Sequence, residues 1–132
     1  MSNIDRGQYV YDLLKKGLNA STLRSKVISN NIANVNTKGY KAYHVKFEDN
    51  LNNSMNSLDL KVTEPGHIKD SSLSGDAQIV QDKDISMNQD GNSVDIDNEM
   101  ADQSANTLNY LTMVTEINNR LEIQKFIIKD GR

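Results

Sequence analysis

An asparagine-rich run from Ser29 to Lys41 constrains the fold of this chain more than any other stretch. Its asparagines are Asn30, Asn31, Asn34 and Asn36. Asparagine is a poor residue inside a helix because its amide competes for backbone hydrogen bonds. The run nevertheless ends a good helical pattern and leads into Thr37, Lys38 and Gly39, which signal a helix end and a turn. We therefore expect a long helix with a specialised end, for which an elaborate C-cap is the simplest interpretation.

The residues before this run have the periodicity of an amphipathic helix. The carboxylate of Asp5 can accept hydrogen bonds from the first backbone N–H groups of this helix. Gln8, three residues later, can accept from the backbone N–H of Asp5, which is the pattern of a capping box. The apolar residues at helical spacing are Val10, Leu13, Leu14, Leu18, Ala20, Val27, Ile28, Ile32 and Val35. Gly17, Ser21 and Ser25 lie on or near the same face, where small side chains let another backbone approach closely.

A second long helix is predicted from the Asp95–Met100 segment onward, where acidic residues suit the positive end of a helix dipole. A heptad pattern follows. One row consists of Met100, Thr107, Val114, Leu121 and Ile128, and the next of Gln103, Tyr110, Ile117 and Gln124. Off this predicted seam lie Leu108, Leu111, Met113, Ile123, Phe126 and Ile127. A two-stranded coil would expose many of these side chains, so we expect more than one face to contact protein.

The predicted fold is mainly α, with long N- and C-terminal helices paired as an antiparallel coiled-coil-like hairpin around a polar, partly irregular middle. The predicted boundaries are 1–42 for the first helix and the Asn-rich motif, 43–93 for the middle and 94–132 for the second helix.

The middle segment leaves two local structures open. Tyr43, Val45 and Phe47 alternate as in a short strand, whereas Phe47, Leu51, Met55 and Leu58 have the spacing of a short amphipathic helix. The Thr63–His67 stretch predicts a turn. Residues 69–93 lack apolar periodicity, and we expect them to be mobile.

Composition limits both the core and the classes of function. Apolar residues make up 36% and aromatic residues 5% of the 132 residues, against an apolar average of roughly 45–50%. We therefore expect the chain to complete its burial against partners. The net charge of −3 argues against nucleic-acid binding, and the absence of cysteine excludes disulfides and thiolate metal sites.

Nothing in the sequence predicts a membrane span or a secretory signal. No apolar stretch approaches the roughly 18 residues that a spanning helix needs. The first residues, Met1–Arg6, lack the apolar core of a signal peptide. We expect any export to proceed without a cleaved signal peptide.

The sequence offers no credible active site or cofactor motif. His44 and His67 have no evident carboxylate or serine partner and are interpreted as lone surface histidines. The stretch that begins at Asp82 starts like a calcium loop, but Met87 stands where glycine is needed and Ser93 where the bidentate glutamate is needed. We therefore expect no enzyme activity, no small-molecule substrate, no cofactor and no metal.

Three segments match motifs of a known family. Residues 28–42 match at Asn30, Asn31, Ile32, Ala33, Asn34, Thr37, Gly39 and Tyr40. The second segment is Thr63–Ile68. The third is Asp90–Met100 together with Asn106–Tyr110, which follows it at the start of the second helix. Together they resemble the short rod subunits of the bacterial flagellar axial proteins, the family of rod, hook and hook-associated subunits. The resemblance is nearly end to end and weak across 69–87; Lys38 stands where many members have proline.

The resemblance implies a structural subunit of the flagellar basal-body rod, in its proximal part, that assembles through its terminal helices after type III export. The implied partners are further copies, other rod subunits, the basal-body adaptor and the export gate, and the implied location is the rod on the periplasmic side. The Asn30–Tyr40 segment is expected to serve recognition and packing. The expected helix-packing residues are Leu14, Leu18, Ile28, Ile32, Met100, Tyr110, Val114, Ile117, Leu121 and Ile128.

Two alternatives remain open at this level. Another short rod subunit of the same family would share these motifs. A soluble helical chaperone or adaptor would also carry a coiled-coil seam, although the Asn-rich signature argues against it.

Overall fold

The computed structural model describes residues 3–52, 76–82 and 91–130. Two long helices, α1 (Asn3–Ala33) and α2 (Ile96–Asp130), flank two short strands, β1 (Tyr43–Lys46) and β2 (Gln78–Gln81). The mainly helical class and the two long terminal helices are confirmed. The predicted turn at Thr63–His67, together with residues 69–75 and 83–90, lies outside the described residues.

The two helices pack side by side and run in opposite directions. Near the end of α1, Asn31 bonds Glu99 in the first turn of α2. Further back along α1, a side chain built at Gly17 would meet Met113, which lies well along α2. Contacts closer to the start of α1 therefore involve residues closer to the end of α2. The two helices are antiparallel, and the predicted hairpin is confirmed.

The start of α2 follows from its local sequence, whereas α1 begins earlier than its capping pattern predicted. Helix α1 begins at Asn3, two residues before the predicted Asp5, and ends inside the asparagine-rich run at Ala33. Helix α2 begins just after Asp95, whose Oδ1 accepts from the backbone N–H of Asp97 at 3.0 Å and of Asn98 at 3.3 Å. Asp95 is therefore the N-cap residue, as the acidic pattern predicted.

The strands form a two-stranded antiparallel sheet in which Tyr43 lies opposite Gln81 and Lys46 opposite Gln78. Of the two structures considered for the first part of the middle segment, the strand is present as β1, and a helical stretch at 48–52 follows it; Met55 and Leu58 of the predicted helix lie outside the described residues. Strand β2 corrects the expectation of mobility for its residues. Its Gln-Ile-Val-Gln sequence is too short and polar to show a period of two clearly.

Among the described residues, the apolar core is small and lies where the second half of α1 meets β1 and the residues before α2. Its buried apolar members are Ala20, Val27, Ile28, Ala42, Val45, Phe47 and Val94. Almost as many polar residues are buried beside them: Ser21, Asn31, Asn92, Ser93, Glu99 and Asn106. Hydrogen bonds from these polar residues therefore hold the end of the hairpin together alongside apolar packing.

Candidate functional site

Asn31, in the middle of the asparagine-rich run, is fully buried. Its Nδ2 donates to the carbonyl oxygen of Tyr43 at 2.8 Å and to Oε1 of Glu99 at 2.9 Å. Its Oδ1 accepts from the N–H of Tyr43 at 3.0 Å and from the hydroxyl of Tyr40 at 3.3 Å. Because the amide bonds both backbone groups of Tyr43, it imitates a neighbouring strand. One side chain thus joins α1, β1 and α2.

Asn92 lies in the segment that precedes α2, and its side chain bonds the turn that follows α1. Its Nδ2 lies 3.1, 2.8 and 2.9 Å from the carbonyl oxygens of Asn34, Val35 and Thr37. Its Oδ1 accepts from the N–H of Val94 at 2.8 Å. The last carbonyl groups of a helix have no partner within the helix itself. In the turn after α1, the backbone N–H groups of Thr37 and Tyr40 donate to the carbonyl oxygens of Asn34 and Thr37, and the Asn92 amide adds a side-chain donor. Asn92 therefore caps the exit of α1.

Two glycines allow these segments to meet. Gly39 has φ +72° and Gly91 has φ +85°, a left-handed backbone that favours glycine. A Cβ built on Gly91 would lie 3.7 Å from the Cα of Gly39, so the two turns are in contact. Next to them, the Oγ of Ser93 accepts from the N–H of Ala42 at 2.8 Å.

We call this interlocked unit the motif junction: Asn31, Gly39, Tyr40, Gly91, Asn92, Ser93 and Glu99. It brings together the two motifs that the sequence pointed to separately, the asparagine-rich run and the Asp90–Met100 segment. The roles of Asn92, Ser93 and Glu99 were not predicted. Asn92 and Ser93 are small polar residues just before a predicted helix, which by itself indicates ordinary turn and cap chemistry. Glu99 is an acidic residue in the first turn of α2, which by itself indicates only a favourable interaction with the helix dipole.

Glu99 is the one acidic residue among the buried polar residues named above, with a relative exposure of only 5%. Burial raises the pKa of its carboxyl above the ordinary 4.5, against the opposing effect of the hydrogen bond from Asn31. The charge of His44 also opposes the rise, whereas Asp102 and Asp82 add to it. The ionised form is therefore less favourable in the folded chain than in water.

Burial also raises the pKa of the Tyr40 hydroxyl. The ring of Tyr40 meets that of Tyr43 edge to face, with centroids 6.1 Å apart. Tyr40 therefore contributes a ring contact as well as its hydrogen bond to Asn31.

Polar side chains continue the contact between the helices away from the motif junction. The Oγ of Ser21 donates to Oδ1 of Asn106 at 2.9 Å, and Nδ2 of Asn106 donates back to the carbonyl oxygen of Ser21 at 2.9 Å. Nε2 of Gln103 donates to Oγ of Ser25 at 3.0 Å. With the bond between Asn31 and Glu99, these pairs form three polar layers, which we call the polar ladder.

The shielded row of α2 differs from the predicted seam in one respect. The buried or partly buried residues of α2 are Glu99, Gln103, Asn106, Met113, Val114, Ile117 and Arg120. Gln103 and Ile117 belong to the predicted second row. Of the predicted first row, Val114 is partly buried and the other members are exposed. The row one residue earlier is shielded instead, at Glu99, Asn106, Met113 and Arg120, and α1 presents polar partners to the first two of these.

The predicted helix-packing residues divide between shielded and exposed positions. On α1, Ile28 is buried, and Leu14, Leu18 and Ile32 are partly buried. On α2, Val114 and Ile117 are partly buried. The exposed ones are Met100, Tyr110, Leu121 and Ile128. Whether any of them packs between subunits stays a prediction.

Beyond Asn31, the predicted motif residues also divide. Ile32, Asn34 and Tyr40 are partly buried. The exposed ones are Asn30, Ala33, Thr37 and Gly39. The motif therefore has a buried side that contacts the rest of the chain and an outer side that is exposed.

Further exposed apolar side chains lie along α2. They are Leu108, Leu111, Ile123, Phe126 and Ile127. Between the helices, Leu14, Leu111 and Met113 help to line an open depression of about 470 Å³. In its first turns, α2 contacts α1 mainly through polar side chains. Many of the apolar side chains of α2 are exposed.

Two ion pairs lie beside the sheet. Nε2 of His44 lies 3.0 Å from Oδ2 of Asp82, so the prediction that His44 lacks a carboxylate partner is wrong. The two residues are far apart in sequence and meet because β1 pairs with β2. Nη2 of Arg24 lies 2.9 and 2.8 Å from the two carboxylate oxygens of Glu48. Burial acts to raise the pKa of the Glu48 carboxyl, but the hydrogen bond and the charge of Arg24, together with backbone hydrogen bonds, lower it below its ordinary value.

Neither pair belongs to a cluster of potential metal ligands in the described part of the chain. Within residues 3–52, 76–82 and 91–130, no group of three or more acidic or histidine side chains could hold a metal ion. No helix in the same ranges is long and apolar enough to span a membrane.

Comparison with known proteins identifies the class. A family model described as flagella basal body rod protein matches residues 14–41, which cover most of α1 and the asparagine-rich run. The flagellar basal body rod protein FlgB of Bacillus subtilis (strain 168) is 34% identical over 119 residues, which is 90% of this chain and 92% of the relative. FlgB of Borreliella burgdorferi is 33% identical over 116 residues, covering 77% and 82%. FlgB of Buchnera aphidicola is 27% identical over 128 residues, covering 91% and 94%.

The helical hairpin and its interlocked motifs therefore belong to a flagellar basal-body rod protein, a class of structural subunits and not of enzymes. Within this class, the chain belongs to the FlgB family. These relatives favour a rod subunit over the soluble chaperone or adaptor that the heptad pattern alone left open.

Proposed function

We propose that this chain is a subunit of the proximal rod and that it joins further copies and other rod subunits through the exposed apolar side chains of α2. The observation that carries the proposal is the distribution of polarity on this helix. Toward α1 it presents Glu99, Gln103 and Asn106, whereas Leu108 and Phe126 are each 66% exposed.

Physical chemistry supports an assembly role for this surface. Burying one large apolar side chain contributes about 1.5–3 kcal/mol. Soluble monomers rarely expose large contiguous apolar patches unless these bind something. The hairpin has few such side chains in its own core, so association with neighbours supplies burial that the single chain lacks.

The small apolar core is compatible with the route by which we propose that the chain reaches the rod. A chain with a small core loses little apolar burial when it unfolds, which agrees with passage through the type III apparatus as an unfolded chain. The proposed contacts on the way and at the destination are the export gate and the basal-body adaptor. The proposed location is the rod on the periplasmic side.

We assign the exposed residues of the predicted set to contacts between subunits. On α2 these are Met100, Tyr110, Leu121 and Ile128. On the outer side of the motif they are Asn30, Ala33, Thr37 and Gly39. The shielded residues Leu14, Leu18, Ile28, Ile32, Val114 and Ile117 hold the hairpin, and Asn31, Asn34 and Tyr40 hold the motif in shape for its neighbours.

Phe126→Asp tests this proposal in flagellated cells that carry the variant in place of the native chain. Phe126 is exposed, so the substitution should leave the helical circular-dichroism spectrum of the purified chain unchanged while placing a charge in the proposed interface. The expected result is loss of flagella and motility, and Leu121→Asp should act in the same way.

Gln124→Asp is the matched control, because Gln124 is exposed on the same turns and the substitution adds the same charge. Cells with this variant should remain motile. Motile, flagellated cells carrying Phe126→Asp would contradict assembly through this surface.

A further inference from the structure

We infer that the polar ladder sets the register of the hairpin, so that α1 and α2 pair in one alignment only. Its layers are Ser21 with Asn106, Ser25 with Gln103, and Asn31 with Glu99. On α1 these residues are four and six positions apart, and their partners on α2 are three and four apart, so the layers follow one another along the contact between the helices.

Apolar contact alone does not fix this alignment. Apolar packing is non-directional, and a heptad pattern lets one helix slide by seven residues while similar side chains meet again. Beyond the ladder, the shielded side of α2 offers Met113, Val114 and Ile117, and exposed Leu121 follows. Any of these could pack against the leucines and valines of α1 after such a slip.

The ladder makes a slipped pairing unfavourable. Asn106 is 4% exposed, and its amide bonds both the side chain and the carbonyl oxygen of Ser21. A slip that carries Asn106 to the place of Met113 would bring its amide against Gly17, which has no side chain to bond it, and would leave the Glu99 carboxyl with the Ser21 hydroxyl in place of the Asn31 amide. The opposite slip would bring Met113 against Ser21 and remove the amide that bonds this serine. An unsatisfied buried polar group costs more than its hydrogen bond contributes when made. A polar residue in a coiled-coil seam therefore acts more on register than on stability.

This inference rests on contacts within one chain and stands apart from the proposed rod assembly. It explains why small polar residues occupy the α1 face at Ser21 and Ser25. It also explains why the shielded row of α2 begins with Glu99 and Asn106 rather than with the apolar Met100.

Spin labels on the full-length chain provide the test. The chain contains no cysteine, so labels can be attached at Thr22→Cys and Glu122→Cys, both at exposed positions on different helices. The labels lie well apart along the hairpin axis. A slip of seven residues shifts one helix by roughly 10 Å at 1.5 Å per residue. Double electron–electron resonance resolves such a shift.

The labelled parent chain should give a single narrow distance distribution. Ser21→Ala combined with Asn106→Leu should keep the helical spectrum and add a second distance population displaced by about 10 Å. The control combines Ser29→Ala with Asn109→Leu, which makes the same changes at exposed positions. It should leave the single distance unchanged.

A single unshifted distance in the Ser21→Ala, Asn106→Leu chain would overturn the inference, as would a broad distribution in the parent. If this variant unfolds, Ser25→Ala combined with Gln103→Leu removes a different layer and should produce the second population. Unfolding of both variants would also overturn the inference, because the ladder would then hold the hairpin together rather than select its register.

Discussion

Nδ2 of Asn31 donates to the Glu99 carboxylate at 2.9 Å, and this bond ties the asparagine-rich exit of one helix to the first turn of the other. The same amide bonds both backbone groups of Tyr43. An asparagine that is unfavourable for an isolated helix is thus favourable in the complete fold, because its partners come from distant parts of the chain.

Asn31→Ala should destabilise the chain far more than Asn30→Ala, although the two residues are adjacent. Loss of the Asn31 amide leaves the Tyr43 backbone and the Glu99 carboxylate without this partner, at a cost of about 1–3 kcal/mol or more. Asn30 is exposed, and its replacement should change the free energy of unfolding by about 0.5 kcal/mol or less. Urea unfolding of both variants measures the difference. Equal effects would mean that Asn31 is not the central tie of the motif junction.

Glu99 should make the folded chain less stable as pH rises. Its pKa is raised in the folded state, so the folded chain holds this proton more tightly than the unfolded chain does. Stability is therefore greatest below the ordinary pKa of 4.5 and falls as pH rises through the raised value. Glu99→Gln keeps an acceptor for Asn31 and should flatten this part of the profile, whereas the exposed Glu122→Gln should not. Parallel pH profiles for the parent and Glu99→Gln would contradict the buried carboxyl as the cause.

Gly39→Ala should destabilise the chain by about 1–2 kcal/mol, the cost of a left-handed backbone for a residue with a Cβ. Its φ of +72° requires this conformation, and no atom lies within 4 Å of a built Cβ, so steric overlap is not the cause. Gly39→Asn should be milder, because asparagine adopts this backbone more readily. Thermal unfolding of the two variants distinguishes them. If alanine and asparagine proved equally harmful, backbone conformation would not be the reason for glycine here.

Local sequence patterns predicted the parts of the fold that depend on local chemistry. Helical periodicity gave α1 and α2, the carboxylate of Asp95 gave the start of α2, and the alternation of Tyr43, Val45 and Phe47 gave β1. Each of these signals arises from residues close together in the chain.

The parts that were missed depend on distant partners. Strand β2 is too short to show a period and is recognisable only once β1 is beside it. The heptad reading placed Met100 rather than Glu99 in the seam because apolar residues usually fill such rows. It could not anticipate that Asn31 and Ser21 would provide polar partners from α1.

Photo-crosslinking from position 126 in flagellated cells tests the central claim most directly, with Ile117 as the matched control position because it is partly buried along the helix contact. A photoreactive residue in place of Phe126 should give adducts with further copies of this chain or with other rod subunits. The same residue at position 117 should react mainly within the chain. Adducts from position 126 confined to one soluble cytosolic protein would contradict a rod subunit that assembles through the exposed side chains of α2.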